Sequence, residues 1–305
     1  MAEIDYRYQK TVSYSQYSLY NQCPHQWYLK YVKKIRKDNP SIHLIFGTSM
    51  HETLQLFFET MYTKSIKRAE EINLVEDFKE RFLSLYRKTL KDNKGKHFSS
   101  SEEMREFFED GIAILEWFRK KRSKYFSKKG TELIGIEIPL QTLANREINN
   151  IYFNGFVDFI LYDKVLNRYT IYDIKTSTRG WGDKEKKDQT KINQILLYKR
   201  FLSQLRAIPE DNIDVVFFIV KRKVFESDEF IIPRIQQFKP SHGKIKVKQA
   251  YESFSNFLIE CFNTDGTFKE RTYDKRVTKL CGWCPYSDNP ELCDKNEQIK
   301  NNFFV

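Results

Sequence analysis

The chain of 305 residues carries 52 Lys and Arg against 41 Asp and Glu, a formal net charge of +11. This length suits about two average domains or one large α/β domain, and 40% hydrophobic residues, with 25 Phe and 18 Tyr, suffice for a real core. No apolar run approaches the roughly 18–20 residues of a membrane span, and MAEIDYRYQK lacks the apolar stretch of a signal peptide. The expectation is therefore a cytoplasmic protein with no membrane partner. Excess positive charge points to an anionic partner, although solvated Lys-rich faces give the same balance.

In chain order, a helical pattern runs from Tyr14 to about Ile35 behind possible caps at Ser13 and Ser15. IFGTSMHETLQLFFETMYTK follows, with an apolar stripe at Phe46, Met50, Leu54, Phe57 and Phe58. Two further helical stretches lie near 70–91 and 101–127, joined by a polar segment containing Gly95. From Glu132 the pattern becomes strand-like: LIGIEIPL, INNIYFNGFVDFILYD and RYTIYDIKTS. The charged stretch TRGWGDKEKKDQ reads as a loop and leads to a helix at about 189–206. Two strands in DVVFFIVKRK and SDEFIIPRI come next, then a helix over VKQAYESFSNFLIECF and a Cys-rich tail. This order predicts an α/β fold with a mixed sheet flanked by helices. It is read as one domain over 1–305, with a helical region at about 13–127, a core at about 131–236 and a C-terminal segment at about 244–305.

The strands hold the sharpest chemistry. In Ile171-Tyr172-Asp173-Ile174-Lys175, alternation puts Asp173 and Lys175 on one face. Asp158 sits among Phe, Ile and Val in the preceding strand, a poor place for an unpartnered carboxylate. Antiparallel pairing would let Asp158 and Asp173 share a hard cation such as Mg²⁺ or Mn²⁺. Lys175 beside it would orient or deprotonate a water, or stabilise developing phosphate charge. An isolated D-x-K triplet reads more readily as a structural ion pair. His51 on an otherwise apolar helix, and Gln194 and Tyr198 at i and i+4 on one helix face, shift that balance. Glu137 reads either as a further oxygen ligand or as an exposed alternating residue. Among the cysteines, Cys281, Cys284 and Cys293 crowd the tail while Cys23 stands far away; in a reducing compartment this pattern suits soft-metal ligation.

His51, Gly155-x-x-Asp158, Asp173-x-Lys175 and Gln194-x-x-x-Tyr198 together resemble the PD-(D/E)XK nuclease superfamily, and most closely its RecB-like branch, which includes CRISPR-associated iron–sulfur exonucleases and the AddB nuclease domain. Ser13-x-Ser15, Tyr20-x-x-Cys23-Pro24 and Trp27-Tyr28 also look like that branch. The resemblance implies a restriction-endonuclease-like sheet with an N-terminal helical insertion and a Cys-ligated cluster joining the termini. It implies a Mg or Mn site formed by His51, Asp158, Asp173 and the main-chain carbonyl of Ile174, with Lys175 as the catalytic lysine and Gln194 and Tyr198 beside it. It also implies a 4Fe–4S cluster on Cys23, Cys281, Cys284 and Cys293, for which a zinc ion on four thiolates is the alternative. Cys261 reads as an ordinary buried residue.

The function so implied is a metal-dependent deoxyribonuclease, an exonuclease acting on single-stranded DNA ends in recombination, repair or viral DNA processing, in the host cytoplasm if viral. The alternatives are a non-catalytic DNA-binding or assembly subunit that has kept the fold, and an RNA nuclease. Arg179, Trp181, Tyr198, Lys221, Arg222 and Lys223 are the expected DNA contacts, with Trp181 placed to stack on an unpaired base. The helices between 60 and 127 are expected to cover the site.

Overall fold

In the computed structural model, which describes residues 10–293 apart from 36, 38, 128 and 226–230, the chain opens with strand β1 (Lys10–Val12). Helix α1 (Tyr14–Gln22) starts at Ser13, whose hydroxyl accepts the Gln16 N–H at 3.3 Å. The single helix expected to about Ile35 is broken at Cys23. Proline disfavours helical conformation in the residue before it, and Cys23, ahead of Pro24, is extended at φ −158°, ψ 106°. The chain restarts as α2 (Pro24–Trp27), with the Cys23 sulfur accepting the Gln26 N–H, and continues in a π-helical turn over Tyr28–Val32.

Backbone contacts divide the chain into two compact units. One comprises residues 1–39, 140–155 and 248–305, the other residues 40–139 and 156–247. Both draw on distant segments, so neither corresponds to the three stretches marked by the sequence.

In the first unit, β1 pairs in parallel with the start of β3 (Ile151–Asp163), Lys10 opposite Ile151 and Val12 opposite Phe153. Helix α9 (Lys244–Cys261), expected over 247–262, supplies the surface for α1: Tyr17 and Tyr20 pack on Phe257 and donate to or share protons with Ser253 and Glu260. Trp27 is fully buried among Phe257, Phe262, Phe268 and Tyr273. The C-terminal stretch lies along the same elements, with the Arg276 guanidinium donating to Asn21 O at 2.6 Å and the Tyr286 hydroxyl to Ile35 O at 2.5 Å. The expected C-terminal residues 294–305 lie outside the described ones.

The second unit carries most of the strand pairs of the single six-stranded sheet. Strand β2 (Thr131–Leu143) pairs with β3, β3 with β4 (Arg168–Ser177) antiparallel, β4 with β5 (Ile213–Lys221) in parallel, and β5 with β6 (Ile235–Phe238) antiparallel. The last strand was expected over 227–235. Residues 227–230 of that stretch lie outside the described ones, and the strand begins only after Pro233, which lacks the N–H a ladder needs. Helix α8 (Gln189–Arg206), matching the expected range, joins β4 to β5 and packs against both.

Helices α3 (Ile42–Thr63), α5 (Leu74–Asp92) and α6 (Ser101–Tyr125) pack with Phe159, Leu161, Ile174, Phe218 and Val220 into one core. Its centre is a stack of rings, Phe58 on Phe159 and Phe159 on Tyr172, each with centroids 4.6 Å apart. The helices between 60 and 127 therefore lie on the Tyr172 and Ile174 face of the sheet and do not cover the opposite face, where alternation places Asp173 and Lys175. Two short helices were not anticipated: α4 (Ile66–Glu70), capped by Ser65, and α7 (Asp183–Lys187) inside the stretch expected to be loop. No helix among the described residues is long and apolar enough to cross a membrane.

Candidate active site

The register of β3 and β4, Phe159 opposite Tyr172, brings the next residues back along β3 and onward along β4 side by side, and these are Asp158 and Asp173. Both carboxylates leave the same face of the sheet. Asp158 Oδ2 accepts the backbone N–H of Ile174. Asp173 is 2% exposed, and its Oδ2 is buried with no aligned hydrogen bond, held only by the Lys175 ammonium at 2.9 Å. From the other side of the sheet, α3 crosses close to β4: a Cβ on Gly47 would sit 3.4 Å from Thr176 Oγ1. One turn later His51 reaches the strand, its Nε2 against the carbonyl of Ile174 and 3.6 Å from Asp158 Oδ2.

Helix α8 closes the arrangement. Lys175 Nζ donates to Gln194 Oε1 at 2.9 Å, and Gln194 Nε2 donates to the Tyr198 hydroxyl at 3.0 Å. The i and i+4 pair seen in the sequence thus fixes the lysine directly. His51, Asp158, Asp173, Ile174, Lys175, Gln194 and Tyr198 are one contiguous set within the second unit.

Burial and charge set the electrostatics. The Asp158 carboxyl is pushed up to about 7, first by burial, with the Asp173 charge adding and His51, Lys175 and the Ile174 N–H pulling the other way. Burial alone would lower Lys175, but the charges of Asp173 and Asp158 outweigh it and hold the side chain raised, so it stands as an ammonium. Burial first, and the Asp173 charge second, raise the Tyr198 phenol.

Two residues were underused by the sequence. Gln55, one turn after His51 on the same face of α3, is buried and donates to the Glu137 carboxylate and to Asp158 O. Glu137 has φ 49°, left-handed backbone that is strained for a residue with a Cβ, and its charge acts on Tyr198 together with those of Asp158 and Asp173. The i+4 spacing from His51 was the signal that would have singled out Gln55.

The set is rich in hard oxygen donors with one imidazole nitrogen, and the buried Asp173 Oδ2 has the Lys175 ammonium as its neighbour and no aligned hydrogen bond. These donors fit a divalent ion such as Mg²⁺ or Mn²⁺. Among the described residues no three His, Cys, Asp or Glu are grouped as a ready metal cage. The donor atoms instead bond to one another, His51 with Ile174 O, Asp158 with Ile174 N, and Asp173 with Lys175.

The expected DNA contacts separate. Trp181 is 7% exposed, wedged against Phe217 and Phe238 with Lys191 over its ring at 5.3 Å, so no face is open to a base. Arg222 is equally buried; it pairs with Asp110 at 3.1 Å and lies 3.6 Å from the centre of the Phe107 ring, tying β5 to α6. Buried cations are retained when paired, and that structural demand consumes the guanidinium. Lys223 is also engaged, with Glu106 and Asp110. Tyr198 is buried, with its hydroxyl on Gln194. Arg179 is exposed and Lys221 half-buried beside it.

In the first unit, Cys23, Cys281, Cys284 and Cys293 line one small pocket of about 30 Å³. Sulfurs there accept backbone N–H groups: Cys23 from Gln26, Cys281 from Thr278, and Cys284 from Tyr286. Cys281 Sγ also donates to Arg276 O at 3.7 Å, and among the described residues the four thiols are not grouped as a ready metal site. Burial first raises the Cys284 thiol, and the charges of Cys293, Cys23 and Cys281 raise it further. Cys261 is fully buried in α9 apart from this group, as expected, with its thiol raised chiefly by burial.

No curated protein matches the sequence. A crystal structure from Eubacterium rectale, named "putative exonuclease", aligns at 12% identity with a TM-score of 0.43, covering 92% of this chain and 97% of that one. The model of the PD-(D/E)XK nuclease superfamily matches residues 11–289, a span holding the paired aspartates, the lysine, the histidine and the Q-x-x-x-Y helix. On that match over most of its length, the chain belongs to the PD-(D/E)XK nuclease superfamily.

Proposed function

We propose that the protein is a Mg²⁺- or Mn²⁺-dependent DNA nuclease of the RecB-like branch, an exonuclease acting on single-stranded ends in recombination, repair or viral DNA processing. The observation that carries the reading is the pairing of two desolvated acids on neighbouring strands, Asp158 against the Ile174 N–H and the His51 ring, and Asp173 against the Lys175 ammonium. His51, Asp158, Asp173 and Ile174 O would hold the divalent ion. When bound, that ion supplies Lewis-acid polarisation of the phosphate and a lowered pKa for water. Lys175, kept charged by Asp173 and anchored by Gln194, donates toward the phosphoryl oxygens and stabilises their developing charge. Tyr198 fixes Gln194, and through it the lysine. Cys23, Cys281, Cys284 and Cys293 would hold a 4Fe–4S cluster.

Digestion of end-labelled single- and double-stranded DNA with Mg²⁺, with Mn²⁺ and with chelator tests the reading. Products shortening from the ends of single strands are expected with metal only. Intact DNA under every condition would leave a non-catalytic binding protein instead, and faster loss of a matched RNA would make it a ribonuclease.

A pH dependence accompanies the site. Because the folded Asp158 carboxyl is raised, the folded state holds a proton that the unfolded chain releases between about pH 4 and 7. That contribution to stability is present below about pH 4 and is lost as pH rises through about 7, an effect on the order of a few kcal/mol. In chelator, Asp158→Asn is expected to flatten this slope in thermal melts. Added Mn²⁺ is expected to raise the Tm of the wild type more at pH 8 than at pH 5, and not that of the variant.

A further inference from the structure

Strand register carries the active-site face beyond its catalytic residues. Lys175 lies opposite Ile219, and Ser177 opposite Lys221, in the parallel pair of β4 and β5. Two residues along a strand restore the same face, so Lys221 projects from the sheet surface that holds Asp173 and Lys175, roughly 7 Å farther along. Just past β4, Gly180 packs over the Lys221 stem, where an added Cβ would come within 2.7 Å of Cδ; its φ of 92° makes the turn that leaves Arg179 exposed. Beyond these residues a groove of about 510 Å³ opens, lined by Arg179, Lys221, Lys223, Val224, Phe225 and Ile232.

Three properties of this groove are unexplained by packing. Among the described residues no carboxylate pairs with Arg179 or Lys221, in contrast to Lys223, which Glu106 and Asp110 neutralise. Burial, and then the Arg234 charge, lower Lys221. Phe225 is 78% exposed at the groove wall with no ring partner among the described residues.

We propose that this groove binds an unpaired nucleic-acid strand, with Phe225 stacking on a base and Arg179 and Lys221 meeting adjacent phosphates. The occupant is identified by combined chemistry: two cations with no carboxylate partner among the described residues suit a phosphate backbone, and an exposed ring suits a free base face. A paired base is already stacked on both sides, so the ring discriminates against duplex. The inference rests on the nuclease reading for its substrate, and it supplies a physical basis for single-strand preference located outside the residues proposed to do chemistry. It also reassigns the role of Trp181, which is buried, to an aromatic residue 44 positions later that the sequence did not single out.

The test is fluorescence anisotropy of the full chain in chelator, with a short labelled oligothymidylate and a matched duplex. Phe225→Ala is expected to weaken single-strand binding about 5- to 100-fold, the range for loss of one stacked base, with little change on duplex. Phe225→Trp is expected to restore it. Arg179→Ala combined with Lys221→Ala is expected to reduce the slope of log affinity against log salt by about 1.4, two single-strand phosphates. An unchanged Kd for single strand in Phe225→Ala, or an equal loss on duplex, overturns the proposal. Parallel digestion with Mn²⁺ separates the two readings. Wild type that binds in this way but never cleaves retains the groove and loses the nuclease, whereas cleaving wild type with an indifferent Phe225→Ala loses the groove alone.

Discussion

Asp173→Ala and Lys175→Ala are each expected to lower metal-dependent phosphodiester cleavage by roughly 10³-fold or more, with the fold retained. Asp173 is the most buried acid of the site, and its Oδ2 has no aligned hydrogen bond. An acid in that position is costly unless a cation shares it. Removing it takes away a proposed ligand and also the charge that keeps Lys175 raised. Removing Lys175 leaves Asp173 with no neighbouring ammonium and Gln194 with no donor on its Oε1. Asp173→Asn is the sharper control, since the amide keeps the volume while losing the charge. Initial rates on labelled single strands, read beside circular dichroism and melting curves, distinguish a chemical defect from unfolding. Full activity in either alanine variant would remove the pair from the mechanism.

Gln194→Ala would then act through Lys175, so its defect should be smaller, about 10- to 100-fold. That is the scale for removing a partner that orients an active group.

On the proposed cluster assignment, Cys23→Ser and Cys281→Ser are each expected to abolish visible absorption and iron and sulfide content, and to loosen α1 from the C-terminal stretch. The two residues stand roughly 250 positions apart in the chain yet line one pocket. The proposed metal group joining them would close most of the polypeptide into a loop, and loss of such a constraint would cost on the order of 3 kcal/mol. The loosening should appear as faster amide exchange over Tyr14–Gln22, a helix whose packing relies on Tyr17 and Tyr20 against α9. Cys261→Ser, deep in α9, should keep the cluster colour while lowering Tm, because it replaces a buried thiol with a hydroxyl. A colourless wild type purified without oxygen and containing one zinc would assign the four thiolates to zinc.

The sequence by itself determined most of the elements and singled out the positions proposed to carry the chemistry. Asp158, Asp173 and Lys175 were legible because acids and a lysine inside apolar strands conflict with β-propensity, and a local conflict of that kind marks a site. The range of α8 and the face shared by Gln194 and Tyr198 followed from helical periodicity, a local property. The break at Cys23 is a local effect of Pro24 that the otherwise continuous helical pattern obscured. Two things were decided only by tertiary structure. The side of the sheet taken by α3, α5 and α6 depends on which alternating strand face is the more apolar, and the ring stack from Phe58 to Tyr172 settled it. Which basic and aromatic residues remain open to a ligand depends on partners far away in sequence: Asp110 takes Arg222, Phe217 and Phe238 take Trp181, and Phe225 is left exposed. Residue type and spacing are carried by the chain itself, whereas burial and charge pairing exist only once distant segments meet.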